Sequence, residues 1–229
     1  MTEKTLGILM LENTTELPGY MADDKIFPYP VKRIKVPGAT AGKVVSGDPA
    51  LRAEYVRCAK QLESEGVAAI TSNCGFTALY QEAVAAAVSV PVALSSLMLV
   101  PHIANTLPAG KRIGLLTFDS KNLKEAHFAA AGWSSKEIPV AIAGIDGTES
   151  WHELLAAVPN PKPAVMVSDV MHGVQSILKN HDDIGALVFE CTGFPITANE
   201  VRKQTGLPVA DVITLTNMLF AVSSPRKAV

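Results

Sequence analysis

The feature that most constrains this chain is an internal duplication. Val67-Ala-Ala-Ile-Thr-Ser-Asn-Cys74 is followed by a helix-compatible stretch and then by Val90-Pro91-Val92-Ala93. Ile184-Gly-Ala-Leu-Val-Phe-Glu-Cys191 is followed by a similar stretch and then by Leu207-Pro208-Val209-Ala210. The two frames lie 117 residues apart, and in each the proline comes 17 residues after the cysteine. A second pair, Gly7-Ile-Leu-Met-Leu11 and Gly114-Leu-Leu-Thr-Phe118, opens the two halves. A duplicated α/β unit with one thiol at each equivalent strand end predicts two thiols facing one cleft. That geometry suits removing a proton from one face of a carbon and adding it to the other.

Strand and helix patterns alternate, as βαβ units with a parallel sheet require. Strands are expected at 5–10, 68–71, 92–94, 112–117, 140–145, 186–189 and 209–211, in continuous apolar runs suited to burial on both faces. Helices are expected at 49–65, 78–87, 97–107, 123–131, 165–179, 196–205 and 214–223. The first of these ends at Gly66, a usual helix stop. Its stripe Leu51, Tyr55, Cys58, Leu62 places Cys58 in the core. Asp119 or Ser120 is a candidate cap for the helix after 112–117. The fold class is therefore α/β, two similar lobes, each a parallel sheet flanked by helices. Residues 1–107, joined by a C-terminal helix at 212–229, form the first lobe, and 108–211 form the second. The 11–47 stretch carries Pro18, Pro28, Pro30 and Pro37 with little periodicity. A connection this long is usually functional, and it reads as a lid or specificity loop.

Composition narrows the function classes. Charged residues make up 18% and the apolar set 48%, enough for buried cores. The net charge of −2 and scattered basic residues supply no footprint for nucleic acid. Lys32-Arg33-Ile34-Lys35 reads as a solvated edge. The longest apolar run, 88–100, is broken by Pro91, Ser95 and Ser96, so no membrane span is expected. No signal peptide is visible at the start of the sequence. Three cysteines without metal-type spacing argue against a disulfide framework or a zinc site. The expected setting is soluble and cytoplasmic, with a homodimer as the commonest assembly.

Ligands of parallel sheets bind beyond the carboxyl ends of the strands, where Cys74 and Cys191 both stand. A thiol at a helix N-terminus is expected to have a lowered pKa, and the same N–H groups can hold a carboxylate. Removing a proton alpha to a carboxylate also needs donors for the developing charge. Thr71, Ser72, Asn73 and Gly75 are candidates in the first lobe, Thr117, Thr192 and Gly193 in the second. Asn13, Thr14 and Thr15 follow the first strand and could add more. Glu190 either supports Cys191 or pairs with a basic neighbour. The five histidines lie outside these turns.

Thr71-Ser-Asn-Cys74-Gly-Phe76 and Glu190-Cys191-Thr192-Gly193, with the repeat around them, resemble the aspartate/glutamate racemase superfamily. The resemblance implies lobes related by a pseudo-twofold axis, an active site between them, no cofactor and no metal. It implies Cys74 and Cys191 as the two acid/base groups, with Asn73, Thr117 and Thr192 as ligands of the substrate carboxylate. Gly75-Phe76 and Thr192-Gly193 stand where the best-known racemases carry Asn-Thr and Thr-His, so their amino-group ligands do not transfer. The expected function is a racemase or epimerase of a small carboxylate, an amino acid or a hydantoin. Asn13-Thr14-Thr15 also looks like the first loop of maleate cis–trans isomerases and arylmalonate decarboxylases. An isomerase with one nucleophilic cysteine is the alternative enzyme, and a carboxylate-binding homologue the alternative of another class.

Overall fold

The computed structural model describes residues 4–225. Expectations for residues 1–3 and for the 226–229 end of the C-terminal helix fall outside them.

Each half builds a parallel sheet with the same strand order. In the first, β1 (Leu6–Met10) lies between β2 (Val31–Lys35) and β3 (Ala69–Ser72). Ile70 of β3 bridges in parallel to Val92, which takes the place of a fourth strand. In the second, β4 (Arg112–Thr117) lies between β5 (Val140–Gly144) and β6 (Ile184–Phe189), with β7 (Val209–Ala210) beyond. The Pro-Val-Ala of each sequence frame is thus the outer element beside the cysteine-bearing strand. β1 and β4 are buried along nearly their whole length, which explains why they read as unbroken apolar runs.

The helices are α1 (Ala41–Val45), α2 (Leu51–Ser64), α3 (Gln81–Ala85), α4 (Val100–Ala104) and α5 (Glu125–Ala130) in the first part of the chain. They continue with α6 (Glu149–Leu155), α7 (Pro163–Asn180), α8 (Ala198–Thr205) and α9 (Val212–Val222). Leu51, Tyr55, Cys58 and Leu62 form the buried face of α2, and Gly66 follows its end at φ +83°, where a Cβ would be strained. α9 returns to the first sheet, where Val212 and Phe220 pack with Leu6, Ile8 and Met10. Tyr29 stacks on Phe220 and bonds Asn217 at 2.8 Å.

Three differences from the sequence reading have simple causes. The 11–47 stretch is not loop throughout, because β2 and α1 lie inside it. β2 is an edge strand whose residues stay partly exposed, so Lys32, Arg33 and Lys35 are tolerated and the apolar alternation is erased. After β3 and β6 the chain does not enter an α-helix at once. It first makes 3₁₀ turns, Gly75–Tyr80 and Phe194–Thr197, which carry it around the lobe contact. Finally, α6 is an added helix capped by Thr148, and α5 starts at Glu125, so Asp119 closes a turn onto Asn122 instead of capping it.

The lobes share one apolar core, which runs from Leu9 and Ile70 to Leu115 and Val188. Phe76, 1% exposed, carries it across by meeting the His127 ring edge-on at 5.0 Å. Burying such a ring is worth about 1.5–3 kcal/mol. Ser96 Oγ donates to the Phe189 carbonyl at 2.6 Å, and Trp133 Nε1 to the Leu97 carbonyl at 3.0 Å. Among the described residues no helix is long and apolar enough to cross a membrane.

Candidate active site

Both cysteines line a cavity of about 100 Å³ at the carboxyl ends of β1, β3 and β6. Asn13, Thr14, Asn73, Gly75, Thr192 and Gly193 line it too. So do Thr15, Leu17, Tyr20 and Met21, from the segment after β1, and Glu190. None of the described lining residues is a lysine, arginine or histidine. The five histidines sit in or next to helices α4 to α7.

The polar residues divide by what their atoms already hold. Asn73 accepts from the Leu11 N–H at 2.7 Å and donates to Thr14 Oγ1 at 2.7 Å. Its amide therefore fastens the end of β3 to the segment after β1. Thr192 Oγ1 donates to the Asn73 carbonyl and so ties the two cysteine turns together. Asn13 Nδ2 bonds the Ala156 carbonyl at 3.0 Å, while its Oδ1 has no partner. Thr15 Oγ1 bonds the Pro159 carbonyl at 2.6 Å. Thr71 bonds the Ala93 carbonyl at 2.8 Å inside the first lobe. Ser72 is buried in β3 away from the cavity wall. Thr117 does not line the cavity either: its hydroxyl donates to Glu190 Oε2 at 2.7 Å.

Glu190, 1% exposed, is the residue whose role the sequence left undecided. No basic side chain pairs with it among its described hydrogen bonds. Oε2 accepts from Thr117 Oγ1 and from the Phe118 N–H at 3.1 Å. Oε1 has no partner and is buried. Gly75 makes room for it, because a Cβ there would lie 2.2 Å from Oε1 and 2.3 Å from the Glu190 carbonyl oxygen. Burial first, with Asp119 adding to it, raises the carboxyl pKa to about 7 against the pull of Thr117 and Phe118.

The thiols depart from expectation in the opposite sense to the one their position suggested. Each residue keeps some surface on the cavity, and the protein packed around them disfavours a charged sulfur. Burial and then the Glu190 charge push Cys74 up to about 12, although the Phe76 and Thr77 N–H groups favour its thiolate. Burial and then Glu190 also push Cys191 well above the usual thiol value, against the Gly193 N–H, with Cys74 adding to the rise. The turn N–H groups are present as expected, but desolvation outweighs them. Burial thus favours the thiol form of both cysteines. Tyr20, raised by burial and by Cys191, stands beside the second of them with its hydroxyl unpartnered.

Comparison with known structures places the architecture. A mutant of arylmalonate decarboxylase in a sulfate-associated form matches 97% of this chain and 96% of its own with a TM-score of 0.63 at 16% identity. Picrophilus torridus aspartate racemase matches 97% and 96% with a TM-score of 0.56 at 14% identity. The chain has the fold of the aspartate/glutamate racemase superfamily. No family model matches the sequence. The sequence relatives carry a different name from these structural neighbours. The chain is 29% identical over 231 residues to a dimethylsulfoniopropionate lyase of Durusdinium sp. clade D, covering 97% of this chain and 76% of the relative. It is 30% identical over 210 residues to dimethylsulfoniopropionate lyase 7 of Emiliania huxleyi, covering 87% of this chain and 62% of the relative.

Tyr20 and Glu190 are the site residues that sequence reasoning missed or left open. Tyr20 carries no motif and reaches the cavity only because the segment after β1 folds back over it. Glu190 did carry a signal: an acidic residue at the buried end of an apolar strand.

Proposed function

We propose that the protein is a lyase that cleaves a β-sulfonium carboxylate of the dimethylsulfoniopropionate type with its own side chains. One observation carries the reading. Two thiols, one from each lobe, line one small cavity, in a chain similar along most of its length to lyases of that substrate. A cysteine in thiolate form takes the proton alpha to the carboxylate. The electron pair left on that carbon forms the double bond to the β-carbon. The β-carbon–sulfur bond breaks with its pair going to sulfur, so a neutral dialkyl sulfide and an acrylate leave. Backbone N–H groups at the openings of the two 3₁₀ turns are the donors this reading assigns to the carboxylate, where negative charge grows.

The racemase expected from the sequence shares the first step. In it the second thiol returns a proton in place of the departing sulfide. A thiol in each lobe favours keeping that as the second reading, with Cys74 and Cys191 on opposite faces of the carbon.

Purified protein incubated with dimethylsulfoniopropionate is expected to release dimethyl sulfide into the headspace and acrylate into solution. Cys74→Ser and Cys191→Ser should each lower turnover by about 100-fold or more while the protein stays folded. A folded, concentrated sample that forms neither product overturns the lyase reading. Deuterium uptake at the alpha carbon of a chiral carboxylate, with loss of optical rotation, would put the racemase in its place.

A further inference from the structure

Gly75 and Gly193 both line the cavity, but packing requires a glycine at the first alone. At Gly75 a Cβ would collide with Glu190. Gly193 opens the second 3₁₀ turn at φ −83° and ψ −14°, a right-handed conformation that any L-residue adopts. A Cβ there would meet Tyr20 Cε1 at 3.4 Å, Cys191 Sγ at 3.7 Å and Leu154 Cδ1 at 3.8 Å, all ordinary van der Waals contacts. Neither the backbone nor these neighbours demand a glycine at 193. An alanine would even stabilise the fold, by restricting the unfolded chain. What the missing side chain preserves is a methyl-sized space beside the Cys191 sulfur.

That space belongs to the cavity and is not a sealed void. Tyr20, Leu154 and Cys191 line the cavity, and each keeps partial exposure. Its walls are an aromatic edge, a methyl group and a sulfur, and the Gly193 N–H is directed at that sulfur. A carboxylate placed there would lack donors, whereas an alkyl group would exchange water for carbon. Leu17 and Met21 extend the apolar lining.

We propose that Gly193 is a specificity residue: the space above its Cα receives an alkyl group carried by the substrate's leaving sulfur, and Tyr20 and Leu154 limit that group's size. This placement rests on the lyase reading and deepens it by saying where one part of the substrate lies. It gives the substrate a direction in the cavity, with its sulfur end toward Tyr20 and Leu154.

The test uses two carboxylates without a sulfonium leaving group, propionate and 3-(methylthio)propionate, which differ by the thioether that would fill the space. Calorimetry on the intact protein is expected to show the thioether binding about tenfold more tightly, from the apolar surface it buries. Gly193→Ala should bring the two affinities within about twofold while its Tm stays level or rises. A lowered Tm with the preference intact, the mark of a merely structural glycine, overturns the proposal. Equal binding of both ligands by the wild type overturns it as well.

Leu154→Ala supplies a second arm from the opposite wall if Gly193→Ala does not fold. Shortening that side chain enlarges the space, so 3-(propylthio)propionate should gain about tenfold in affinity relative to 3-(methylthio)propionate. An unchanged ratio overturns the proposal. Release of dimethyl sulfide is scored separately. Release without a thioether preference sinks this inference alone, whereas a preference without release sinks the lyase reading alone.

Discussion

The two cysteine turns come from one duplicated frame, yet the residue before the thiol differs in kind. Before Cys74 stands Asn73, whose amide braces Leu11 and Thr14. Before Cys191 stands Glu190, whose carboxylate keeps one oxygen buried without a partner, packed against Gly75. The same backbone geometry thus yields a brace in one lobe and an electrostatic feature in the other. Duplication supplies a symmetric pair of thiols. Divergence at the neighbouring position makes the site asymmetric, and an asymmetric ligand with an anionic end and a second, different end needs such a site.

Breaking the symmetric part should have the largest effect. Removing either sulfur is expected to lower kcat/KM by about 10²–10⁴, measured as product release, because general acid–base groups contribute on that scale. The asymmetric part is tested next through stability. Glu190 has a folded pKa of about 7, above its ordinary value, so its contribution is fully present below about pH 4 and is lost as pH rises through 7. Denaturant unfolding of the wild type should therefore weaken toward pH 8, by on the order of 3 kcal/mol for this group. Glu190→Gln is expected to remove that loss, and an unchanged slope would contradict the buried ionisable carboxylate.

Asn73→Ala probes the opposite brace. It strands the Leu11 N–H and is expected to cost about 1–3 kcal/mol at every pH, read as a lower Tm without a pH-dependent component. The smallest effect belongs to Thr192→Val, which removes the hydroxyl bond to the Asn73 carbonyl between the turns. A loss of about 1 kcal/mol is expected. A much larger loss of turnover than of stability would mean that the bond sets the spacing of the thiols.

The strands that carry the site were legible because each is buried on both faces and reads as an apolar run. The edge strand Val31–Lys35 was not, since one exposed side lets Lys32, Arg33 and Lys35 break the pattern. The helices after the cysteines were expected too early, because a 3₁₀ turn has no apolar period to distinguish it from the helix it precedes. At the site, the duplication placed Cys74 and Cys191 at one cavity, and Asn13, Thr14, Gly75 and Gly193 were found on its wall. Ser72 and Thr117 were not: Ser72 is buried within β3, and the Thr117 hydroxyl is turned onto Glu190 Oε2. The turn N–H groups favour a lowered thiol pKa, whereas burial raises both thiols. A helix-end dipole can be read from sequence, whereas the desolvation that overrides it depends on three-dimensional packing.

The missing side chain at Gly75 has a consequence for how such a pocket could be altered. Position 75 and the carboxylate of Glu190 claim one volume from opposite lobes, so a larger residue at the first and an acid at the second exclude each other. Re-aiming this pocket toward amino-acid ligands by filling position 75 would require trimming Glu190 in the same step. Either change alone should be worse than both together, a strongly non-additive pair across the seam.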